Sequence, residues 1–373
     1  MTAGPRIGSL CSGYGGLDIA VCEVLGGSVA WHCEIDPDAS AVLAHRWPHI
    51  PNLGDLIAVD FGQVEPVDVV ATGFPCTDVS LAGRRAGIAP GTRSGVWLHV
   101  ARAIQALRPR LVVIENVPGL LSTQAHSDME PCPWCLGDRG GEPALRALGA
   151  VLGDLARFGY DATWACVRAS EIGAPHIRRR VFVLAVPADP PGTGLPGAGV
   201  LRWAAERRHG SVAAHAGGSG RGPGAGLRAL ASPEFRGRRL GDERCPDAAH
   251  AESERRAEGE SEPAVRGRDV DAGQHGGAAR VDLAPVEWGS FRPAIERWER
   301  LTRPAPRPTD DHGRLNPPFV EWLMGLDGGH VTGVPGLSRS ARLRILGNGV
   351  VPQQAAYALR LLLDRLAGAD LAA

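Results

Sequence analysis

The chain contains no lysine, so all 40 of its basic side chains are arginine, set against 41 aspartates and glutamates. The resulting formal charge of -1 excludes a general electrostatic attraction to nucleic acid or membrane, and any charged interface must be local. No stretch reaches the roughly 18 consecutive apolar residues of a membrane span. The opening MTAGPRIGSL lacks a charged segment leading into a long apolar one, so a cytoplasmic setting is expected. Aromatic residues make up only 5%. Eight cysteines lie scattered at 11, 22, 33, 76, 132, 135, 166 and 245, unlike a disulfide framework in a chain of 373 residues, so reduced thiols are expected. What is plentiful is apolar residues, 44%, enough to bury a sizeable core, and 50 glycines, which with the arginine bias fit a skewed genomic composition.

From residue 6 to about 186, short β-rich runs (RIGSLC, VAWHCEI, VDVVATG, LVVIENV, RVFVLAV) alternate with helix-spaced patterns (LDIAVCEVLG, DASAVLAHRW, GVWLHVARAIQAL, PALRALGAVLGDLARFG). That alternation predicts an α/β fold of parallel strands joined by helices. Residues 187–285 lose the periodicity and become rich in Gly, Ala, Pro and Arg. Charge is segregated there: 202–244 holds nine arginines against four acids, and 245–290 holds ten acids against five arginines. The signal recovers with VEWGSFRPAIERWERL, LNPPFVEWLMGL and RLRILGNGVVPQQAAYALRLLLDRLAG, the last ending in an amphipathic helix.

Four constellations could carry chemistry. In SLCSGYGGLDIAV, Gly13, Gly15 and Gly16 follow a strand and open a helix, where open α/β folds bring backbone close to a nucleotide-like ligand; a plain tight turn is the simpler use. Glu34 ends the next strand 21 residues after Gly13, the usual distance of an acid that accepts from ribose hydroxyls, and Asp55 in NLGDL is either a third polar group or a turn residue. Cys76 in GFPC stands past the end of a buried strand, where such sheets place their sites, although a cysteine is most often a small buried hydrophobe. Its thiol needs nearby positive charge or a helix N-terminus to act as a nucleophile. Glu115, at the end of LVVI, has either a specific task or a satisfied salt bridge; with a raised pKa it could donate a proton at neutral pH. In HIRRR, period-two alternation puts Arg178 and Arg180 on one face and Arg179 on the other.

Taken in order, GFPC with Ser80, ENV at 115–117, GAPHIRRRVFVLA at 173–185, LNPPFVEWLMG at 315–325 and GNGVVPQQA at 347–355 resemble the DNA (cytosine-5) methyltransferases over about 1–186 and 313–365. The resemblance implies a Rossmann-like S-adenosylmethionine-dependent methyltransferase domain with a smaller target-recognition domain. It implies a catalytic and cofactor-binding part at 1–186, a target-recognition region at 187–312, and a C-terminal segment at 313–373 that returns to the catalytic part. By the same resemblance Cys76 is the nucleophile, Glu115 with neighbouring Asn116 contacts the cytosine ring, and Arg178 and Arg180 lie near base and phosphate. Ser12, Gly13, Gly15, Gly16, Leu17, Glu34, Ile35, Asp55, Pro75, Asn348 and Val350 match the S-adenosylmethionine site. Double-stranded DNA is the implied partner, a monomer the simplest state, and genetic pairing with a restriction endonuclease one setting for such an enzyme. Two other readings are a catalytically silent DNA-binding relative and a tRNA cytosine-5 methyltransferase.

Three residues depart from the family's usual pattern: Thr77 and His176 stand where glutamine is common, and Cys11 where a phenylalanine commonly packs on the adenine. The arginine-rich 202–244 suits phosphate and guanine contacts, and the acidic 245–290 is expected to face away from DNA. CPWC at 132–135 is half of a tetrahedral zinc set, with His126 and Asp128 as the nearby candidates, or an inserted loop without metal; no metal is assigned.

Overall fold

The computed structural model describes residues 4–75, 96–121, 147–188 and 286–369. Cys76, Thr77 and Ser80, the CPWC motif and the charge-segregated 202–285 lie outside the described residues.

Six strands form one sheet: β1 (Arg6–Leu10), β2 (Ser28–Cys33), β3 (Val69–Thr72), β4 (Leu111–Asn116), β5 (Tyr160–Arg168) and β6 (Arg179–Pro187), in the order β2-β1-β3-β4-β6-β5. β1 to β4 are parallel, as the alternation with α1 (Gly16–Leu25), α2 (Pro37–Arg46) and α3 (Val96–Leu107) predicts. The expectation of parallel strands fails at β6, which runs antiparallel to both β4 and β5. The cause is the connection: β5 follows α4 (Ala147–Arg157), and residues 169–178 are too few for the crossover that a parallel partner needs.

Both faces of the sheet are covered. In β4, Val112 and Ile114 face Trp97, Val100 and Ile104 of α3 and Val151 and Leu155 of α4. Leu111 and Val113 face the opposite cluster, built with Leu17, Val21 and Leu25 of α1. This double burial is why LVVI reads as an unbroken apolar run. The second cover is completed from the far end of the chain by α8 (Pro352–Ala369), whose Leu359, Leu362 and Leu363 pack into the α1 cluster. Arg360 of α8 pairs with Glu23 of α1 at 2.6 Å, and the Gln354 amide donates to the carbonyls of Val167 and Arg178, each at 2.8 Å.

A third cluster binds α5 (Arg292–Leu301), α6 (Pro317–Leu323) and α7 (Arg339–Asn348) to the start of the chain: Trp298, Trp322, Ile345 and Leu346 meet Tyr14 and Val42. The fully buried Glu321 of the LNPPFVEW motif serves this packing. One carboxylate oxygen accepts from the amides of Val331 and Thr332, the other from the Gly329 amide and the Thr332 hydroxyl, so its charge is satisfied inside the protein. Among the described residues no helix is long and apolar enough to cross a membrane.

Candidate active site

The carboxyl ends of β1, β2, β3 and β4 open onto one cavity of about 500 Å³. After β1 the chain turns through left-handed backbone at Cys11 (φ 52°), Gly13 (φ 56°) and Gly15 (φ 81°) before α1 begins. A Cβ on Gly13 would meet nothing within 4 Å, so glycine there serves the backbone conformation. Gly16 is different: a Cβ would stand 2.3 Å from the Val350 carbonyl oxygen, so the late segment can approach only because the side chain is absent. Across the loop, Glu34 accepts from the Gly13 amide through Oε2 and from the Asp36 amide through Oε1, each at 2.8 Å, fixing the carboxylate at the cavity wall. Asp55 lines the same wall while accepting from the Ile57 amide, which makes it a turn residue on the cavity wall.

On the sheet side lie Gly73, Phe74 and Pro75, immediately before Cys76. Asn116 holds this turn by donating from its side-chain amide to the buried Phe74 carbonyl at 3.2 Å. A Cβ on Gly73 would come within 3.3 Å of Glu115 Oε2, so the Glu115 carboxylate lies directly against the GFPC turn. Its other oxygen accepts from Arg180 Nε at 2.8 Å. Burial raises the Glu115 pKa above the ordinary carboxylate range, while the Arg180 and Arg178 charges and the Arg180 hydrogen bond offset only part of that shift. The salt bridge read from the sequence exists, and burial pushes the carboxyl toward its protonated form.

The remaining wall comes from 344–350. Asn348 lines the main cavity, and Val350, Ser12, Gly13, Gly16 and Leu17 line a small adjoining one that also reaches Glu115. Arg344 lies on the main wall, held by Asp36 at 2.5 Å and Asp38 at 2.7 Å. His176 bonds through Nε2 to the Leu323 carbonyl at 2.8 Å, and burial lowers its pKa, so its ring is committed to α6 and neutral.

Of the residues expected at the site, Gly13, Glu34, Ile35, Asp55, Pro75, Glu115, Asn116, Arg180 and Asn348 line the main cavity. Gly15 does not; it packs on Trp47, and a Cβ would sit 2.6 Å from that ring. Arg178 does not either, and its guanidinium goes to the carbonyls of Gly347 and Gly349. Cys76 lies outside the described residues. Sequence reasoning missed Cys33, Asp36, Ile57, Phe74 and Arg344 as lining residues. Only Asp36 carried a readable signal, as an acid directly before the helix-opening Pro37, and it does cap α2 by accepting from the Ala39 amide.

The wall chemistry fits a nucleoside-type cofactor. Ile35 and Ile57, 68% and 64% exposed, offer apolar contact for a flat heterocycle next to the carboxylates of Glu34 and Asp55. Among the described residues no group of three or more His, Cys, Asp or Glu could hold a metal ion.

An α/β sheet with a glycine turn at its first strand end, an acid at its second and a buried carboxylate at its fourth has the layout of an open α/β fold whose cavity lies at the carboxyl ends of its strands. The family model for C-5 cytosine-specific DNA methylases matches residues 6–193, and the chain belongs to that family. Similar proteins include Type II methyltransferase M.NlaIV of Neisseria lactamica, 31% identical over 160 residues (42% of this chain, 35% of that protein). M2.BsuMI of Bacillus subtilis (strain 168), also a Type II methyltransferase, is 34% identical over 184 residues (48% and 41%). A protein of Escherichia phage P1 named DNA N-6-adenine-methyltransferase is 34% identical over 241 residues (54% and 31%). The matches thus span between 31% and 41% of the length of these curated relatives. The crystal structure of the S. pombe Dnmt2 methyltransferase covers 97% of this chain and 99% of its own with a TM-score of 0.52 and 15% identity, a likeness of fold.

Proposed function

We propose that the chain transfers a methyl group from S-adenosylmethionine to C5 of a cytosine in double-stranded DNA, using Cys76 as nucleophile. The observation that supports this most is Glu115: a buried carboxyl with a raised pKa, held by Arg180, against the turn that leads into Cys76 and on the wall of the cavity bearing Glu34.

C5 of cytosine is a poor nucleophile until electron density reaches it. The Cys76 thiolate adds to C6, the C5–C6 π electrons move toward C5, and Glu115 gives its proton to N3, which neutralises the charge that develops on the ring. Arg180 keeps the Glu115 carboxyl oriented. The cofactor supplies an electrophilic methyl group. A base, water in the simplest case, takes the C5 proton, the C5–C6 double bond re-forms as the C6–S bond breaks and Cys76 leaves as thiolate, and N3 returns its proton to Glu115. Glu34 and Asp55 would take the ribose hydroxyls, Ile35 the adenine, and Asn348 the remaining wall. A base stacked in a duplex must be flipped out first, at a few kcal/mol. Region 187–312 is the part we assign to target recognition.

The test is methyl transfer from labelled S-adenosylmethionine into unmethylated plasmid DNA, with positions read by bisulfite conversion and Cys76→Ala run alongside. Label at C5 of cytosines within one short motif, absent from the variant, is expected. Full transfer by Cys76→Ala would sink the mechanism. Tight duplex binding with no adduct to 5-fluorocytosine DNA would favour the silent binding protein, and preferential methylation of tRNA the RNA enzyme. The name of the phage P1 relative invites an N6-adenine reading. An exocyclic amine attacks without prior thiolate addition to the ring, so label in adenine that survives Cys76→Ala would decide for it.

A further inference from the structure

We propose that Arg178 is a positioning residue for the cofactor and not a contact to DNA, an inference that rests on the cofactor reading of the cavity. Arg178 and Arg180 stand two residues apart in the chain, but their side chains diverge. Arg180 turns to Glu115. Arg178 Nη2 donates to the carbonyl of Gly347 at 2.9 Å and of Gly349 at 2.5 Å, and the carbonyl of Arg178 itself accepts from the Gln354 amide at 2.8 Å. The side chain of Arg178 therefore holds the end of α7 and the turn after it, and its main chain holds the first turn of α8.

The opposite side of that segment is held by the glycine loop. The Tyr14 hydroxyl donates to the Val350 carbonyl at 2.6 Å, and its ring packs so closely on Gly349 that a Cβ there would stand 1.7 Å from it. His330 in turn bonds through Nε2 to the Tyr14 carbonyl at 3.0 Å, so the loop is braced from behind. Gly347, Asn348 and Gly349 line the main cavity. With three carbonyls of this segment bonded to Arg178 and Tyr14, its backbone is fixed in the orientation that presents Asn348 to the cavity. Both hydrogens of Nη2 are used and Nε is buried with no partner among the described residues, which leaves Nη1 as the end of the guanidinium for any further ligand.

The test compares wild type with Arg178→Met and Arg178→Lys. It measures binding of S-adenosylhomocysteine without DNA by calorimetry, the KM for each substrate, and the salt dependence of DNA binding. Losing a charged donor to two carbonyls predicts cofactor binding weakened about tenfold or more in Arg178→Met, partly restored in Arg178→Lys. KM for S-adenosylmethionine should rise with it, while DNA affinity and its salt slope stay as in wild type. Unchanged cofactor binding with a salt slope reduced by about one would mean a phosphate contact and overturn the proposal. Should Arg178→Met fail to fold, Tyr14→Phe removes only the hydroxyl on the other side of the segment. Weaker cofactor binding there supports the clasp, and unchanged binding overturns it. A wild-type protein that binds no cofactor would sink the functional reading itself; wild-type binding shared by both variants would sink this inference alone.

Discussion

At Glu115 two influences oppose each other within one side chain: burial favours the neutral carboxyl, and Arg180 and Arg178 favour the charged one. Burial wins, and the sign of every pH effect follows. A carboxyl whose folded-state pKa is raised contributes stability below its unfolded value, ordinarily near 4.3, and loses that contribution as pH rises through the folded value. Thermal melts of Glu115→Gln and wild type at a series of pH values should therefore show the difference in Tm moving in favour of the variant as pH rises above about 4. Catalysis moves the other way. With Glu115 as the proposed proton donor, Glu115→Gln should lower kcat by roughly 10² to 10⁴, and the alkaline limb of the pH–rate profile assigned to Glu115 should vanish. A limb that persists in Glu115→Gln would assign it to another group.

At the scale of elements, most of the α/β pattern is legible in the sequence, because strands buried on both faces write apolar runs and amphipathic helices write 3.6-residue periodicity. β5 escapes because YDATWACVR is an edge strand with Asp161 and Trp164 exposed, which breaks the apolar run, and the reversal of β6 escapes because composition carries no strand direction. The site divides in the same way. Gly13, Glu34 and Glu115 are legible because each sits at a strand end. Arg344 is not, since its partner Asp36 lies 308 positions away and nothing local distinguishes it from the other arginines. Nor is the divergence of Arg178 from Arg180, which shared-face periodicity would deny. The element that matters most for completing the site is α8. Leu362 is fully buried against α1, so Leu362→Ala should cost about 2–5 kcal/mol in denaturant unfolding and weaken cofactor binding with it. A loss near zero would mean that α8 is not needed to hold the Val350 segment.

For the whole molecule, the part that matches the family model and the part that completes the cavity are not the same. Residues 6–193 carry the sheet, Glu34 and Glu115, but Asn348 and Val350 and the cover over α1 come from the far end. A fragment of residues 1–193 would leave the α1 face bare, a contiguous apolar patch of the kind that associates or unfolds. It is expected to show no cooperative melt by circular dichroism and no cofactor binding, both recovered on co-expression with 286–373. A cooperative, cofactor-binding fragment would show that the late segment is dispensable.

The hydrogen bond from Tyr14 to Val350 joins positions 336 apart in the chain. A ribosome adding about 5–20 residues per second needs roughly 20–70 s to travel between them. For the last 235 of those 336 positions, from Glu115 to Val350, Glu115 has already been made while the wall that completes the cavity has not. The growing chain is therefore built incapable of its proposed reaction, and competence arrives in one late step, when the last helix docks. Because that step closes a very long loop, it should be slow and the part of folding most sensitive to the presence of cofactor.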